Sequence, residues 1–172
     1  PRRNDGVNDT WMPDSGRELY KLVEAENRLT SCLVDGVAAT AQDAVVRASE
    51  LLNGEGLAVV GSGQCTVEEQ FVLKAIVDSA KTKGAYVVAR YGEDDGILVS
   101  KDRNPNVRGA LMTGLINTLP EEQLTALGAQ IDSGEVKTIL AVKEDLIAAG
   151  LTEAQLSKVT IVSLDTHSNA TT

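Results

Sequence analysis

The residues best suited to chemistry lie at the ends of apolar runs. Leu57–Val60 is a continuous apolar stretch, and Gly61–Ser62–Gly63 follows it. Thr66 and Glu69 then have the spacing of a helix-opening capping box. A glycine turn between a buried strand and a capped helix lets backbone approach a ligand, and the helix start offers N–H groups to an anion. Gly61, Ser62 and Gly63 are therefore candidate nucleotide contacts. The dinucleotide fingerprint wants a third glycine where this chain has Thr66. The same glycines would also serve an ordinary strand-to-helix turn. Asp165 and Thr166 close the last apolar run, where strand ends face ligand crevices. They are the second candidate pair, and capping of the next turn is the plainer role for Asp165.

Other reactive groups are sparse. Cys65 precedes a helix start, a place that can activate a thiol. It is the candidate nucleophile of an independent enzyme, against the plainer reading of a buried, inert cysteine. Cys32, Cys65 and the lone His167 are too few for a tetrahedral zinc site or a whole iron–sulfur cluster. This cysteine usage fits a reducing cytoplasm, and neither cysteine belongs to a CxxC pair. Lys101–Gly109 carries three cations and two asparagines and reads as a fixed, interacting loop, suited to phosphate or a partner subunit. Glu93–Asp94–Asp95 reads as a solvated acidic turn.

The elements that position these residues follow from periodicity. Asp14 opens a helix to about Glu24, with Leu19, Leu22 and Val23 on one face. Thr40 with Asp43 opens a second helix that Asn53 and Gly54 stop. After the strand at Leu57–Val60, a helix carries Val67, Phe71, Val72, Ile76 and Val77 as its buried stripe and ends at Gly84. Ala85–Tyr91 is a strand, and Ile97–Val99 is a short extended piece. Asn104–Pro105 discourages helix in the polar loop. Thr118, Pro120 and Glu121 open a helix that ends at Ser133–Gly134. Thr138–Val142 and Val159–Leu164 are strands, with short helices at Glu144–Ala149 and Thr152–Ser157 between them. The tail from His167 is small and polar and reads as loose. Strands alternating with helices predict a layered, Rossmann-like α/β domain, mostly parallel, with helices on both faces. The core must be aliphatic, because aromatics are only 3% of 172 residues. A net charge of −9 makes nucleic acid a poor partner. No apolar run approaches the roughly 20 residues of a membrane span.

Residues 1–30 read as a lead-in arm and 31–172 as the α/β domain, and the start at Pro1 reads as mid-protein. Pro1–Arg2–Arg3–Asn4 and Val7–Asn8–Asp9–Thr10–Trp11–Met12–Pro13–Asp14–Ser15–Gly16–Arg17 resemble a family signature. It is the segment after the iron–sulfur modules in the large iron–sulfur subunit of NADH-quinone oxidoreductase (NADH dehydrogenase). Formate dehydrogenase and other molybdopterin oxidoreductases share the layout. Tyr20, Asn27–Arg28–Leu29, Gly61–Phe71, Asp102–Ala110, Ala129–Val136 and Val162–Thr166 extend the resemblance over nearly the whole sequence.

The resemblance implies the beginning of a molybdopterin-oxidoreductase-type domain. It would lie in an electron-transport subunit whose iron–sulfur clusters are held upstream. It implies other modules and subunits as partners, and a cytoplasmic location, peripheral on the inner membrane face through those subunits. In the family's molybdenum enzymes, loops matching Gly61–Gly63 and Asp165–Thr166 contact the guanine dinucleotide of the pterin cofactor. Some members carry a cluster-ligating cysteine where Pro13 stands, and proline has no sulfur. Two readings follow: a non-catalytic scaffold in electron transfer, with no cofactor, catalytic residue or metal ligand of its own, or a module for molybdopterin guanine dinucleotide.

Overall fold

A computed structural model describes residues 3–6, 9–12, 14–97, 99–120 and 123–172. Pro1, Arg2, Val7, Asn8 and Pro13 of the family-like motif lie outside the described residues, as do Leu98 and Glu121.

The arm holds a one-turn helix, α1 (Asp14–Arg17), and a 3₁₀ stretch at Leu19–Glu24. The expected continuous helix is therefore broken, and Leu19, Leu22 and Val23 are exposed rather than packed. A hairpin comes next, β1 (Cys32–Val34) and β2 (Val37–Ala39). Its turn, Asp35–Gly36, has φ of +50° and +78°. Asp-Gly flanked by strand residues is a strong short-range hairpin signal.

Helix α2 (Ala41–Leu52) starts where the Thr40 side chain accepts from the Asp43 N–H. Strand β3 (Leu57–Ser62) is buried along its whole length. Helix α3 (Val67–Ser79) carries the complete Thr66/Glu69 capping box. Strand β4 is Thr82–Val88, α4 is Val107–Met112 and α5 is Thr125–Asp132. Strand β5 (Thr138–Val142), α6 (Glu153–Leu156) and β6 (Thr160–Leu164) complete the domain.

The four strands β4-β3-β5-β6 form one parallel sheet. Side chains alternate across it. Ala58, Val60, Ile139 and Ala141 face a cluster with Leu127 and Ile131 of α5 and with Leu146 and Leu151. Leu57, Val59, Leu140 and Val142 face the opposite cluster with Leu73 of α3, Ala110 of α4 and Leu52 of α2. Both faces are thus covered by helices, which is why the central strands read as unbroken apolar runs. Each of these Leu, Ile and Val side chains contributes about 1.5–3 kcal/mol relative to exposure. The chain is an α/β fold with a parallel sheet between helical layers.

Several boundaries differ from expectation. Helix α3 ends at Ser79, because Ala80 is already extended. Gly84 lies inside β4, where a Cβ would meet the Tyr86 ring at 2.8 Å. The inward face of α3 is Gln70 and Leu73, with Ile76 and Val77 partly buried, while Val67, Phe71 and Val72 are exposed. A buried glutamine sets the helix's rotation, and an apolar-stripe reading puts it outside. The polar loop is shorter than expected, since α4 begins at Val107. Helix α5 begins only at Thr125, after Thr118 and Pro120. Residues 146–150 make turns rather than a helix. The tail is fastened: Thr171 Oγ1 donates to Asp145 and accepts from the Leu146 N–H. No helix among the described residues is long and apolar enough to cross a membrane.

Candidate functional site

After β3 the polypeptide crosses through α3 to β4 on one side, and the next strand, β5, pairs on the other side. That reversal makes the carboxyl ends of β3 and β5 the natural ligand crevice of such a sheet. Gly61, Ser62 and Gly63 stand at one lip, and Lys143, Glu144 and Asp145 at the other.

The glycine lip is occupied by the protein itself. A Cβ on Gly61 would meet Leu73 at 3.0 Å. One on Gly63 would meet Asn104 Oδ1 and Val107 Cγ2, each at 2.9 Å. These glycines admit a helix and a loop of the same polypeptide. The Gly63 N–H donates to the Val88 carbonyl, and the Gly63 carbonyl accepts from the Asn106 N–H. Ser62 is fully buried, and its Oγ accepts from the Gln64 N–H at 2.9 Å. Asn104 clamps Arg90 by accepting its N–H at 2.7 Å and donating to its carbonyl at 2.8 Å. Asn106 donates to the Cys65 carbonyl, and buried Gln70 donates to the Asn106 carbonyl. The loop is therefore fixed by its asparagines, while Lys101, Arg103 and Arg108 remain exposed.

Charge at the crevice is also matched internally. The start of α3, where an anion would bind, already has Glu68 and Glu69. Its own backbone N–H and the Thr66 hydroxyl hold the Glu68 carboxyl below its usual range. Lys143 and the Thr66 N–H do the same for Glu69. Lys143 Nζ reaches both Glu69 oxygens, at 2.6 and 2.8 Å. It does so from a left-handed backbone, φ +56°, uncommon for a residue with a Cβ. The Glu144 side chain is fully buried and takes a two-pronged pair from Arg90, at 3.1 and 2.7 Å. That pairing raises the Arg90 guanidinium further.

Asp165 and Thr166 are not brought to the glycine turn. β5 lies between β3 and β6, a separation of about 10 Å at ordinary strand spacing. Asp165 accepts from the Thr166 and His167 N–H groups and from Asn169 Nδ2, so it organises its own turn. The Leu29 N–H donates to the Thr166 carbonyl, joining the arm to the end of β6. His167 Nε2 donates to the Leu22 carbonyl at 2.8 Å, and Nδ1 meets the Thr166 hydroxyl at 2.9 Å. Cys65 is buried, and burial pushes its thiol up, away from the reactive thiolate. Cys32 is exposed on the hairpin.

Arg90, Glu144, Lys143 and Gln70 are the residues sequence reasoning missed, while the loop of Asn104 and Asn106 was read as fixed and interacting without the contacts that fix it. Their partners are 14 to 74 residues apart, and no local spacing marks them. The one available signal was polarity directly after each strand, used for Asp165 and not for Arg90 or Lys143. Comparison with known proteins finds no family model, no curated protein and no solved structure that matches this sequence.

Proposed function

We propose that this protein is a non-catalytic scaffold within an electron-transfer oxidoreductase subunit of the NADH-quinone and molybdopterin oxidoreductase type. The observation that carries the scaffold part is the self-filled carboxyl edge of the sheet. Asn104 and Val107 sit where a pyrophosphate would need to approach Gly63. Glu68 and Glu69 stand where its charge would be placed, and Arg90 and Lys143 are spent on Glu144 and Glu69. At the start of α3 a doubly charged dinucleotide would meet the carboxylates of Glu68 and Glu69, and the space over Gly63 is filled, so these residues do not fit the pterin guanine dinucleotide. The oxidoreductase part rests on the resemblance in residues 1–17 and 102–110. The partners in this reading are the cluster-bearing modules and neighbouring subunits, with location following from theirs.

The alternative is a nucleotide module using Gly61, Ser62, Gly63, Asp165 and Thr166. The order reversal between β3 and β5 is the one feature favouring it. Titration of GDP into the protein by calorimetry separates the two. The scaffold reading expects no binding heat even at millimolar nucleotide, the weak end of measurable affinity. A saturable heat overturns it. Reconstitution with iron and sulfide tests the absence of a cluster of the protein's own. A stoichiometric visible absorption band contradicts the scaffold reading.

A further inference from the structure

Asp–Gly and Asn–Gly pairs share one intrinsic chemistry. The side-chain carbonyl carbon can close a five-membered ring with the next backbone nitrogen, and glycine leaves that nitrogen unhindered. The sequence has four such pairs: Asp5–Gly6, Asp35–Gly36, Asn53–Gly54 and Asp95–Gly96. In three of them both reacting groups are held. The Gly6 N–H donates to Asn4 Oδ1 at 3.2 Å, and the Asp5 carboxylate pairs with Arg3 at 2.7 Å. The Gly54 N–H donates to the Leu51 carbonyl, and Asn53 Nδ2 donates to the Ser49 carbonyl. The Gly96 N–H donates to Asp94 Oδ1 at 2.9 Å, and Asp95 Oδ1 accepts from the Ile97 and Val99 N–H groups. At Asp35–Gly36 neither the carboxylate nor the glycine N–H meets a partner among the described residues.

The surroundings of this fourth pair also favour reaction. Asp35 and Gly36 are exposed at the tip of the β1–β2 hairpin, and a Cβ on Gly36 would meet nothing within 4 Å. The hairpin strands have three residues each, and Leu33 and Val37 are exposed. Little packing therefore opposes local opening of the turn. Asp35 is held left-handed, at φ +50°, which an L-residue adopts at a cost.

The geometry points to Asp35–Gly36 as a site of self-modification, where aspartate isomerises to isoaspartate with water as the only co-reactant. The Gly36 nitrogen attacks Asp35 Cγ. A C–N bond forms and a Cγ–O bond breaks, and the amide hydrogen leaves with the carboxyl O–H as one water. A second water then opens the succinimide ring at either carbonyl. Opening at Cγ restores aspartate. Opening at the main-chain carbonyl routes the chain through Cγ and frees that carbonyl as a carboxylate. One water is released and one taken up, and nothing is oxidised. Isoaspartate adds a carbon to the main chain, so the two-residue turn no longer fits the pairing of Val34 with Val37. This chemistry is independent of the oxidoreductase reading.

The test compares the four pairs in the whole protein, folded and unfolded in guanidinium. Both samples are kept in heavy-oxygen water at neutral pH, then digested in ordinary water for mass spectrometry. Each passage through the ring leaves one heavy oxygen on its pair, and the unfolded sample gives each pair its own sequence-dependent rate. On folding, Asp35–Gly36 keeps its rate within about threefold, and the other three slow by about fivefold or more, the worth of one hydrogen bond that must open. A second chromatographic form of the Asp35 peptide, equal in mass, identifies isoaspartate in the folded sample. Asp35→Asn places the same dipeptide at both 35–36 and 53–54, and asparagine suits the left-handed turn. In the folded variant the pair at 35–36 loses ammonia faster than Asn53–Gly54, and in the unfolded variant the two rates match. Slowing of Asp35–Gly36 by about fivefold or more on folding, absence of the isoaspartate form, or equal folded rates at the variant's two pairs overturns the inference.

Discussion

At the residue scale, the two ion pairs of the crevice differ in what their loss exposes. The Glu144 side chain is fully buried, whereas Arg90 is 45% exposed. Removing the cation leaves a buried, unpaired carboxylate; removing the carboxylate leaves a cation that water can reach. Arg90→Met is therefore expected to cost about 3–5 kcal/mol and Glu144→Gln markedly less, about 1–2 kcal/mol. Urea denaturation measures both; equal losses would show that burial does not set the asymmetry. The Glu69 carboxyl is held low chiefly by Lys143. A depressed folded value means that its contribution is complete above the ordinary carboxylate pKa of about 4.3 and is lost as pH falls through the folded value. Both partners are about a third or more exposed, so solvent limits this pair to under about 1 kcal/mol. Lys143→Ala keeps the left-handed backbone and loses the pair, while Lys143→Gly loses the pair and relieves the backbone. The glycine variant should be the more stable by about 1 kcal/mol. Lys143→Ala should unfold in acid at a higher pH than the parent, as a circular dichroism titration would record, while the backbone relief in Lys143→Gly offsets the loss of the pair. An unmoved acid midpoint would remove Lys143 as the cause.

At the element scale, periodicity and capping carried most of what was legible. Thr40, Thr66 and Thr152 each accept from the backbone N–H three residues on, opening α2, α3 and α6. The apolar runs at Leu57–Val60 and Thr138–Val142 are the two central strands. Where the reading failed, tertiary contacts had overridden local pattern. Gln70 is buried because Asn106 receives its hydrogen bond, so α3 turns Phe71 outward. Gly84 lies inside a strand because the Tyr86 ring covers it. The hairpin at Asp35–Gly36 was missed although its turn signal was present. Thr66→Ala removes one half of the α3 capping box and is expected to cost about 1 kcal/mol, read from the thermal midpoint. A loss near zero would mean that α3 is held by packing alone.

At the scale of the whole molecule, the layered α/β architecture was legible from the alternation of strands and helices. The contents of the crevice were not. The glycine turn was visible, but what fills it comes from Leu73, Asn104 and Val107, and only the folded sheet brings these together. The family-like stretch Asp102–Gly109 supplies Asn104, Asn106 and Val107, which seal Gly63. That segment thus closes the space over the glycine turn. The central claim is that the carboxyl edge of this sheet is self-filled and binds no dinucleotide. Backbone amide shifts of the whole protein, followed while GDP is added to millimolar concentration, test it most directly. The account predicts no saturable shift at Gly61–Thr66, Lys143, Glu144 or Thr166. Saturable shifts clustered at Gly61–Thr66 and Lys143 would contradict it.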